Sequence, residues 1–395
     1  MSKNIKTLIY TLAFLSILTA NIYLPAMPIL QHIFSTTKAS MSLTISFYML
    51  GLAIGIPIYG ALSDHIKTSK VLAFGLILYI VANLIAILSP NISTFLIARL
   101  TQGLSAASAL CLWQVLAFSY FEKHAAHIIG TGYILIGSMP AIAPVFGGII
   151  LTLSTWYGIF IFLIVVATIL FLITIKLPTP PKSIHDVKEH SIIQQHIILA
   201  VLNQYRHLLK DFKFIILTLA STSIYISVYV YLSQVPFLLT KLHFATGEFS
   251  LFFIPISIAF ILGGIISKLM LRKGVKFENR IILPICLFIT SLTIVLVTKI
   301  INLPLTGWLL AIPFFIFTIG SGIGAPNISS EALSLHPHRR GTAASALGLL
   351  QNLAAFAFSG LGAFLTKYGY DGLIISYIIL AVLPTFWIII YRLLI

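Results

Sequence analysis

Charge is what this chain has least of. Asp and Glu together number 9 in 395 residues, and charged residues of both signs make up 8 %, where a soluble globular protein carries about a quarter. No soluble core could hide the 59 % of residues that are hydrophobic, so the solvent of this protein is largely lipid. Cysteine is nearly missing as well. Cys111 and Cys286 both fall within apolar stretches, show no metal-ligand spacing and imply no disulfide. Signatures of an intramembrane enzyme are absent: there is no Gly-x-Ser-x-Gly, no His-Glu-x-x-His and no pair of acids inside an apolar run. No cofactor is expected.

What the chain has instead is long apolar runs. With no water to bond the backbone, a bilayer admits helices or a closed barrel. The runs are about 20 residues long and do not alternate with polar residues, which marks helices. Twelve are expected, over residues 7–30, 41–62, 71–89, 94–118, 127–152, 156–176, 213–238, 249–271, 280–299, 304–330, 341–365 and 371–391. The start, "MSKNIKTLIY", has no small-residue cleavage site, and the first run reads as a retained helix.

The net charge is +15, and its distribution matters more than its size. With the N-terminus inside, 19 of the 24 Lys and Arg fall in cytoplasmic loops, whereas Lys38, Lys241, Lys299 and Lys367 fall outside and Arg99 lies within a run. The positive-inside rule therefore places both termini in the cytoplasm. Cations spread over many short loops suit anionic lipid rather than nucleic acid.

Residues 177–212 interrupt the pattern with a Pro-rich, charged segment, separating a six-helix bundle (1–176) from a second (213–395). Part of this linker, about 191–209, has the pattern of an amphipathic surface helix. Its "HDVKEH" (185–190) holds metal-binding residue types without a recognisable ligand spacing, so no metal site is expected. The two halves echo each other: "GALSD" from Gly60 matches "GIISK" from Gly264, and "GTGYILIG" from Gly130 matches "GTAASALG" from Gly341. Internal repeats of this kind are a mark of secondary transporters.

Five stretches carry a family likeness. They are "YLPAMP" in the first run, "YGALSDHIKTSKVL" (59–72), "ARLTQGLSAA" (98–107), "GSMPAIAPVFGG" (137–148) and "HRRGTAASALGLLQ" (338–351). Together they resemble the major facilitator superfamily, in particular its twelve-helix drug:proton antiporters of the Bcr/CflA type. The resemblance implies an all-α integral membrane fold of two pseudo-symmetric bundles and alternating-access efflux of drugs or other lipophilic compounds. It also implies a monomer in a bacterial inner membrane, with protons as the coupling ion.

It further assigns roles to residues. Gly60, Asp64 and Gly341 would form a conformational latch, in which the carboxylate of Asp64 meets the free amides at a helix N-terminus. Here His65, Lys67 and Thr68 replace the usual Arg, Gly and Arg of that motif. Gly137, Pro140, Pro144, Gly147 and Gly148 form an exporter-type helix-5 motif whose small residues and prolines permit close contact and bending. Pro25 and Pro28 would bend the end of the first helix in the same way. Arg99, with Gln102 beside it, is the one charge well inside a run, a functional signal by default; its place near a helix end leaves snorkelling open. Tyr225 and Tyr229 share a helix face, and with Asn21, Gln114, Gln351 and Asn352 they are candidates to line the substrate path. Tyr231, Ser221, Gln234 and Asn327 are of the same kind.

The family pattern carries an acid before "YLPALP". Here that place holds Asn21, an amide with no proton to exchange. Three readings stay open: coupling through Asp64 or Glu331 at the inner rim; uniport, or import down the substrate's own gradient; or an anionic metabolite or carboxylate siderophore that brings its own carboxylate to Arg99. A sensor or scaffold without transport is the remaining alternative.

Overall fold

The computed structural model describes residues 2–121, 124–178, 208, 210–244, 249–304, 306–336 and 340–393. Among these there are helices and no strands. The helices are α1 (Ser2–Asn21), α2 (Met27–Ile33), α3 (Lys38–His65), α4 (Thr68–Ile87), α5 (Ile92–Phe121), α6 (Ala125–Leu153) and α7 (Trp156–Ile175). After the linker come α8 (Phe212–Lys241), α9 (Phe249–Arg272), α10 (Phe277–Arg280), α11 (Ile282–Ile300), α12 (Gly307–Ser334), α13 (Arg340–Leu365) and α14 (Tyr370–Leu393). Taking α1 with α2 and α10 with α11 gives twelve long helical segments. Eleven are long and apolar enough to cross a membrane, and in α6 the described apolar stretch is Ile142–Leu153.

Side-chain placement explains why these helices belong in lipid. On α7, Ile161, Val165, Ile169 and Leu172 are exposed, while Phe160, Leu163, Ala167 and Leu170 on the other side are buried. An apolar stripe of this length would be an aggregation hazard in water; hydrocarbon solvates it. Two helix starts show ordinary capping chemistry. The Asp211 carboxylate accepts from the Lys213 and Phe214 amides at the start of α8, and the Thr306 hydroxyl accepts from the Leu309 amide at the start of α12.

The first run does not form one straight helix. α1 stops at Asn21, a 3-10 turn follows over Leu24–Ala26, and α2 begins at Met27. Pro25 and Pro28 each fall in the first turn of the piece that follows the break. There a missing amide costs nothing, whereas inside a continuous helix each would remove a hydrogen bond.

The chain divides into two compact units, residues 1–36 with 44–194, and residues 37–43 with 195–395. In the first, α4 packs on α5 and α7, and α1 on α5 and α6. In the second, α8 runs between α12, α13 and α14, while α12 packs on α9 and α11. The expected amphipathic linker helix and the "HDVKEH" segment lie outside the described residues, apart from Leu208.

A buried arginine and its aromatic cradle

Two backbones approach closely in the first unit, and this sets up its polar centre. A Cβ on Gly103 of α5 would overlap the carbonyl oxygen of Tyr48 on α3, and one on Gly51 of α3 would overlap the carbonyl of Leu100. Only glycine at both positions lets α3 and α5 touch along this line. The contact brings Tyr48 against Arg99, one turn from Gly103.

Arg99 is fully buried. Its Cζ lies 4.0 Å from the ring centre of Tyr23 and 4.6 Å from that of Tyr48. Nη1 donates to Gln102 Oε1 at 2.7 Å and reaches the Thr19 carbonyl at 3.5 Å, and Nε reaches the Thr44 carbonyl at 3.4 Å. The network continues outward. Gln102 Nε2 donates to Asn83 Oδ1 (2.8 Å), and Asn83 Nδ2 donates to the Tyr79 carbonyl (2.8 Å). The Tyr79 hydroxyl meets Thr19 Oγ1 at 2.5 Å, the Tyr23 hydroxyl meets Thr44 Oγ1 at 2.8 Å, and the Tyr48 hydroxyl donates to the Ser16 carbonyl at 2.7 Å. Three stretches of chain thus meet one guanidinium, and α4 joins the network through Gln102 and Thr19.

The partners of that cation are all neutral. Two aromatic faces give about 2 kcal/mol each when desolvated, against several kcal/mol for burying an unpaired charge. The remainder is visible as open valences. Arg99 Nη2 has no hydrogen-bond partner, and neither has Oδ1 of buried Asn21, whose Nδ2 donates to the Ile17 carbonyl at 2.7 Å. An unpartnered guanidinium nitrogen leaves charge-assisted N–H donors for an acceptor such as a carboxylate. The snorkelling alternative for Arg99 is ruled out by its complete burial: its head stays among Tyr23, Tyr48 and Gln102.

Asn21 ends α1 immediately before the 3-10 turn, and the helix-5 motif explains how that turn is held. A Cβ on Gly147 of α6 would overlap the carbonyl oxygen of Ile22. Gly147 therefore seats α6 against the backbone beside Asn21. α6 itself runs unbroken through Pro140 and Pro144. Gln114, lower on α5, is half-buried and lies apart from the groups named around Arg99.

In the second unit the candidates form smaller groups. The Tyr225 and Tyr229 hydroxyls meet at 3.2 Å on α8. Gln351 Nε2 donates to Ser221 Oγ at 3.2 Å, and Ser221 meets Ser329 Oγ at 2.7 Å, which ties α13, α8 and α12 together. Asn352 donates to the Gly348 carbonyl at 2.8 Å and leaves its buried Oδ1 without a partner. Tyr231 departs from the expectation: its ring stacks on Phe314 at 3.5 Å and its hydroxyl donates to the Leu310 carbonyl, so it packs against α12 rather than joining the Tyr225 face. Asn327 departs too, since it accepts from Arg280 and donates to Ser267. Glu331, near the end of α12, is half-buried. The side chain of Asp64 lies outside the described residues, and Gly341 falls in the first turn of α13, so the latch has no described geometry.

The Major Facilitator Superfamily model matches residues 9–359. The chain belongs to this superfamily. An uncharacterized MFS-type transporter, YdgK of Bacillus subtilis (strain 168), is 28 % identical over 349 residues, covering 86 % of this chain and 83 % of that protein. The multidrug resistance protein MdtL of Shewanella sp. (strain ANA-3) is 24 % identical over 345 residues, covering 84 % and 81 %. Among solved structures, a D-xylose–proton symporter superposes with a TM-score of 0.75 at 13 % identity, over 97 % of this chain and 96 % of that one. The protein is thus a multi-pass membrane transporter of the major facilitator fold.

Within that fold, sequence reasoning found Arg99, Gln102 and Asn21 but missed Tyr23, Tyr48, Tyr79 and Asn83. Two of these carry a readable signal. Tyr23 stands in the proline stretch already singled out, and Asn83 is the lone amide of the apolar run 71–89. Tyr48 and Tyr79 have none, because an aromatic in an apolar run reads as packing.

Proposed function

We propose that this transporter exports small lipophilic molecules, neutral or carrying a carboxylate, from a bacterial cell by alternating access. Both termini would lie on the cytoplasmic side of the inner membrane, which the distribution of Lys and Arg supports. Likeness over most of its length to a protein named for multidrug resistance supports export. The observation that carries the choice of cargo charge is Arg99, a fully buried permanent cation whose partners are all neutral. In a medium of low dielectric such a charge repels a passing cation and attracts an anion far more strongly than it would in water.

A carrier for one anionic metabolite, running as a uniporter or importer, is the second reading. It is favoured by Asn21, which cannot serve as the proton site that the antiporter pattern places there. If export is driven by protons, Asp64 and Glu331 are the groups left to carry them.

The test is dye accumulation in efflux-deficient cells, using a neutral, an anionic and a cationic lipophilic dye, with and without a protonophore. Lowered accumulation of the neutral and anionic dyes, with the cationic dye unaffected, is the expected pattern. Lowered accumulation of the cationic dye alone would overturn the assignment. Uptake of the anion without export would favour the second reading.

A further inference from the structure

Asn83 has no role in the account so far. It is the lone amide of α4, and it is buried. Burying an amide is costly unless its ends are bonded. The sequence of α4 shows how it comes to lie inside. Gly75, Tyr79, Ala82 and Ala86 share its buried face, while Phe74, Ile77, Val81 and Leu84 are exposed on the opposite, lipid-facing side. A Cβ on Gly75 would overlap the Ser108 hydroxyl, so α4 lies close against α5. Further along the same face, Asn83 reaches Gln102.

The bonds from Arg99 through these amides run in one direction. A guanidinium only donates, so the end of Gln102 that meets Nη1 at 2.7 Å is its oxygen. Gln102 Nε2 then donates to Asn83 Oδ1 at 2.8 Å, and Asn83 Nδ2 donates to the Tyr79 carbonyl at 2.8 Å. A carbonyl only accepts, so both amides are oriented from two fixed ends. With every donor pointing the same way, each bond polarises the next.

A second branch closes the loop. Thr19 Oγ1 donates to the Leu15 carbonyl at 2.7 Å, so towards Tyr79 it accepts, and the Tyr79 hydroxyl is the donor. The carbonyl of Thr19 is in turn reached by Arg99 Nη1. Nη1 is therefore held from α4 along two routes, one through Gln102 and one through Thr19. With Nη1 so held and Nε at the Thr44 carbonyl, Nη2 is the nitrogen left without a partner.

Joining α4 to α5 does not by itself require this chemistry. An apolar pair of the same shape joins two helices as well and leaves no polar group to satisfy. An amide at position 83 does what an apolar side chain cannot. It gives Gln102 Nε2 an acceptor, and so keeps Gln102 Oε1 turned towards Arg99.

We propose that Asn83 is a positioning residue for Arg99: acting through Gln102, it fixes the setting of the guanidinium and thereby sustains transport of a carboxylate cargo. The inference rests on the reading that Arg99 selects the cargo. Asn83 itself touches no cargo and acts only on the orientation of the cation.

The experiment uses the full chain in proteoliposomes and has two readouts. The first is flux of a lipophilic carboxylate relative to its neutral amide. Asn83→Leu should lower that ratio about tenfold, whereas a loss of packing alone would lower both fluxes alike. In an Arg99→Gln background Asn83→Leu should leave the ratio unchanged, since the group it positions is gone. The second readout needs no cargo: magnetic resonance of chain carrying nitrogen-15 arginine, with the Arg99 signals identified by their loss in Arg99→Lys. Held as described, Nη1 and Nη2 of Arg99 should give separate signals in the native chain and merge in Asn83→Leu. Asn83→Asp still offers Gln102 Nε2 an oxygen and should keep them separate. Thr174→Val, which cuts a buried hydroxyl bond to Leu170 on α7, is the control and should move neither readout. Asn83→Ala, equally without an acceptor, serves where Asn83→Leu does not fold. Separate signals in Asn83→Leu, or equal loss of both fluxes, overturns the proposal. So does an effect on the ratio that persists undiminished in Arg99→Gln. Should native protein carry carboxylate and amide without distinction by Arg99, the cargo reading fails, and the Nη signals still decide whether Asn83 positions the guanidinium.

Discussion

Arg99 stands with its guanidinium 4.0 Å above the ring of Tyr23, and that ring's hydroxyl is tied to Thr44, whose own carbonyl Arg99 Nε reaches. A neutral aromatic residue thus does part of the work that an acid would do for a buried cation. The arrangement holds the charge without cancelling it, and several outcomes can be derived from that.

Replacing Tyr23 separates the ring from the hydroxyl. Tyr23→Phe keeps the aromatic face and loses the bond to Thr44, and should cost about 1 kcal/mol. Tyr23→Leu loses the face as well and should cost about 2 kcal/mol more. Thermal midpoints of the purified variants check the order. Equal loss in both would mean the ring does not hold Arg99.

Asn21→Asp supplies the acid that this position lacks. The new carboxylate would be buried at the end of α1, in the stretch of chain that brings Thr19 and Tyr23 to Arg99, and a buried negative charge in that stretch lowers the positive potential that draws an anionic cargo. Flux of a lipophilic carboxylate should fall about tenfold or more at neutral pH. It should recover on acidification, as the introduced acid takes up a proton. The native protein should show no such recovery.

The glycines of the close contacts should not tolerate a side chain. Gly103→Val would drive a branched Cβ into the Tyr48 carbonyl, and Gly147→Val into that of Ile22. Each should cost about 1–3 kcal/mol by overpacking. The Gly103 variant should also disturb transport that depends on Arg99. Gly60→Ala is the control, since a Cβ there meets open space. Its midpoint should not fall, and should rise slightly because alanine favours the helix over glycine.

Coupling can be separated from transport. On the proposal that export is driven by protons, Asn21 cannot titrate and Asp64 and Glu331 are the groups left to carry them. In inverted vesicles, the double variant Asp64→Asn with Glu331→Gln should abolish accumulation against a gradient and leave downhill flux. Retained accumulation would place the driving ion elsewhere.

Much of this was legible in the sequence. Twelve apolar segments follow from composition and run length alone, because lipid demands long, self-bonded helices and leaves little freedom in how they look. Arg99 was legible for the same reason, a charge being conspicuous where charges are rare. The break after Asn21 followed from Pro25 and Pro28. What could not be read was which neutral residues surround the arginine. Tyr48 reaches it through the Gly51 and Gly103 contact, a tertiary fact without a local signature. Tyr231 is two residues beyond Tyr229, so the helical period itself sets it on another side of α8, and what could not be read was that this side meets Phe314.

The central claim is that a fixed, uncompensated cation selects the cargo. The direct measurement is flux through reconstituted proteoliposomes for three matched compounds sharing one lipophilic body, a carboxylate, its neutral amide and its amine, with native protein and Arg99→Gln. Native protein should carry the carboxylate and the amide and exclude the amine, and Arg99→Gln should lose the carboxylate selectively while admitting the amine. Equal transport of all three by native protein, or an unchanged order in Arg99→Gln, would contradict it.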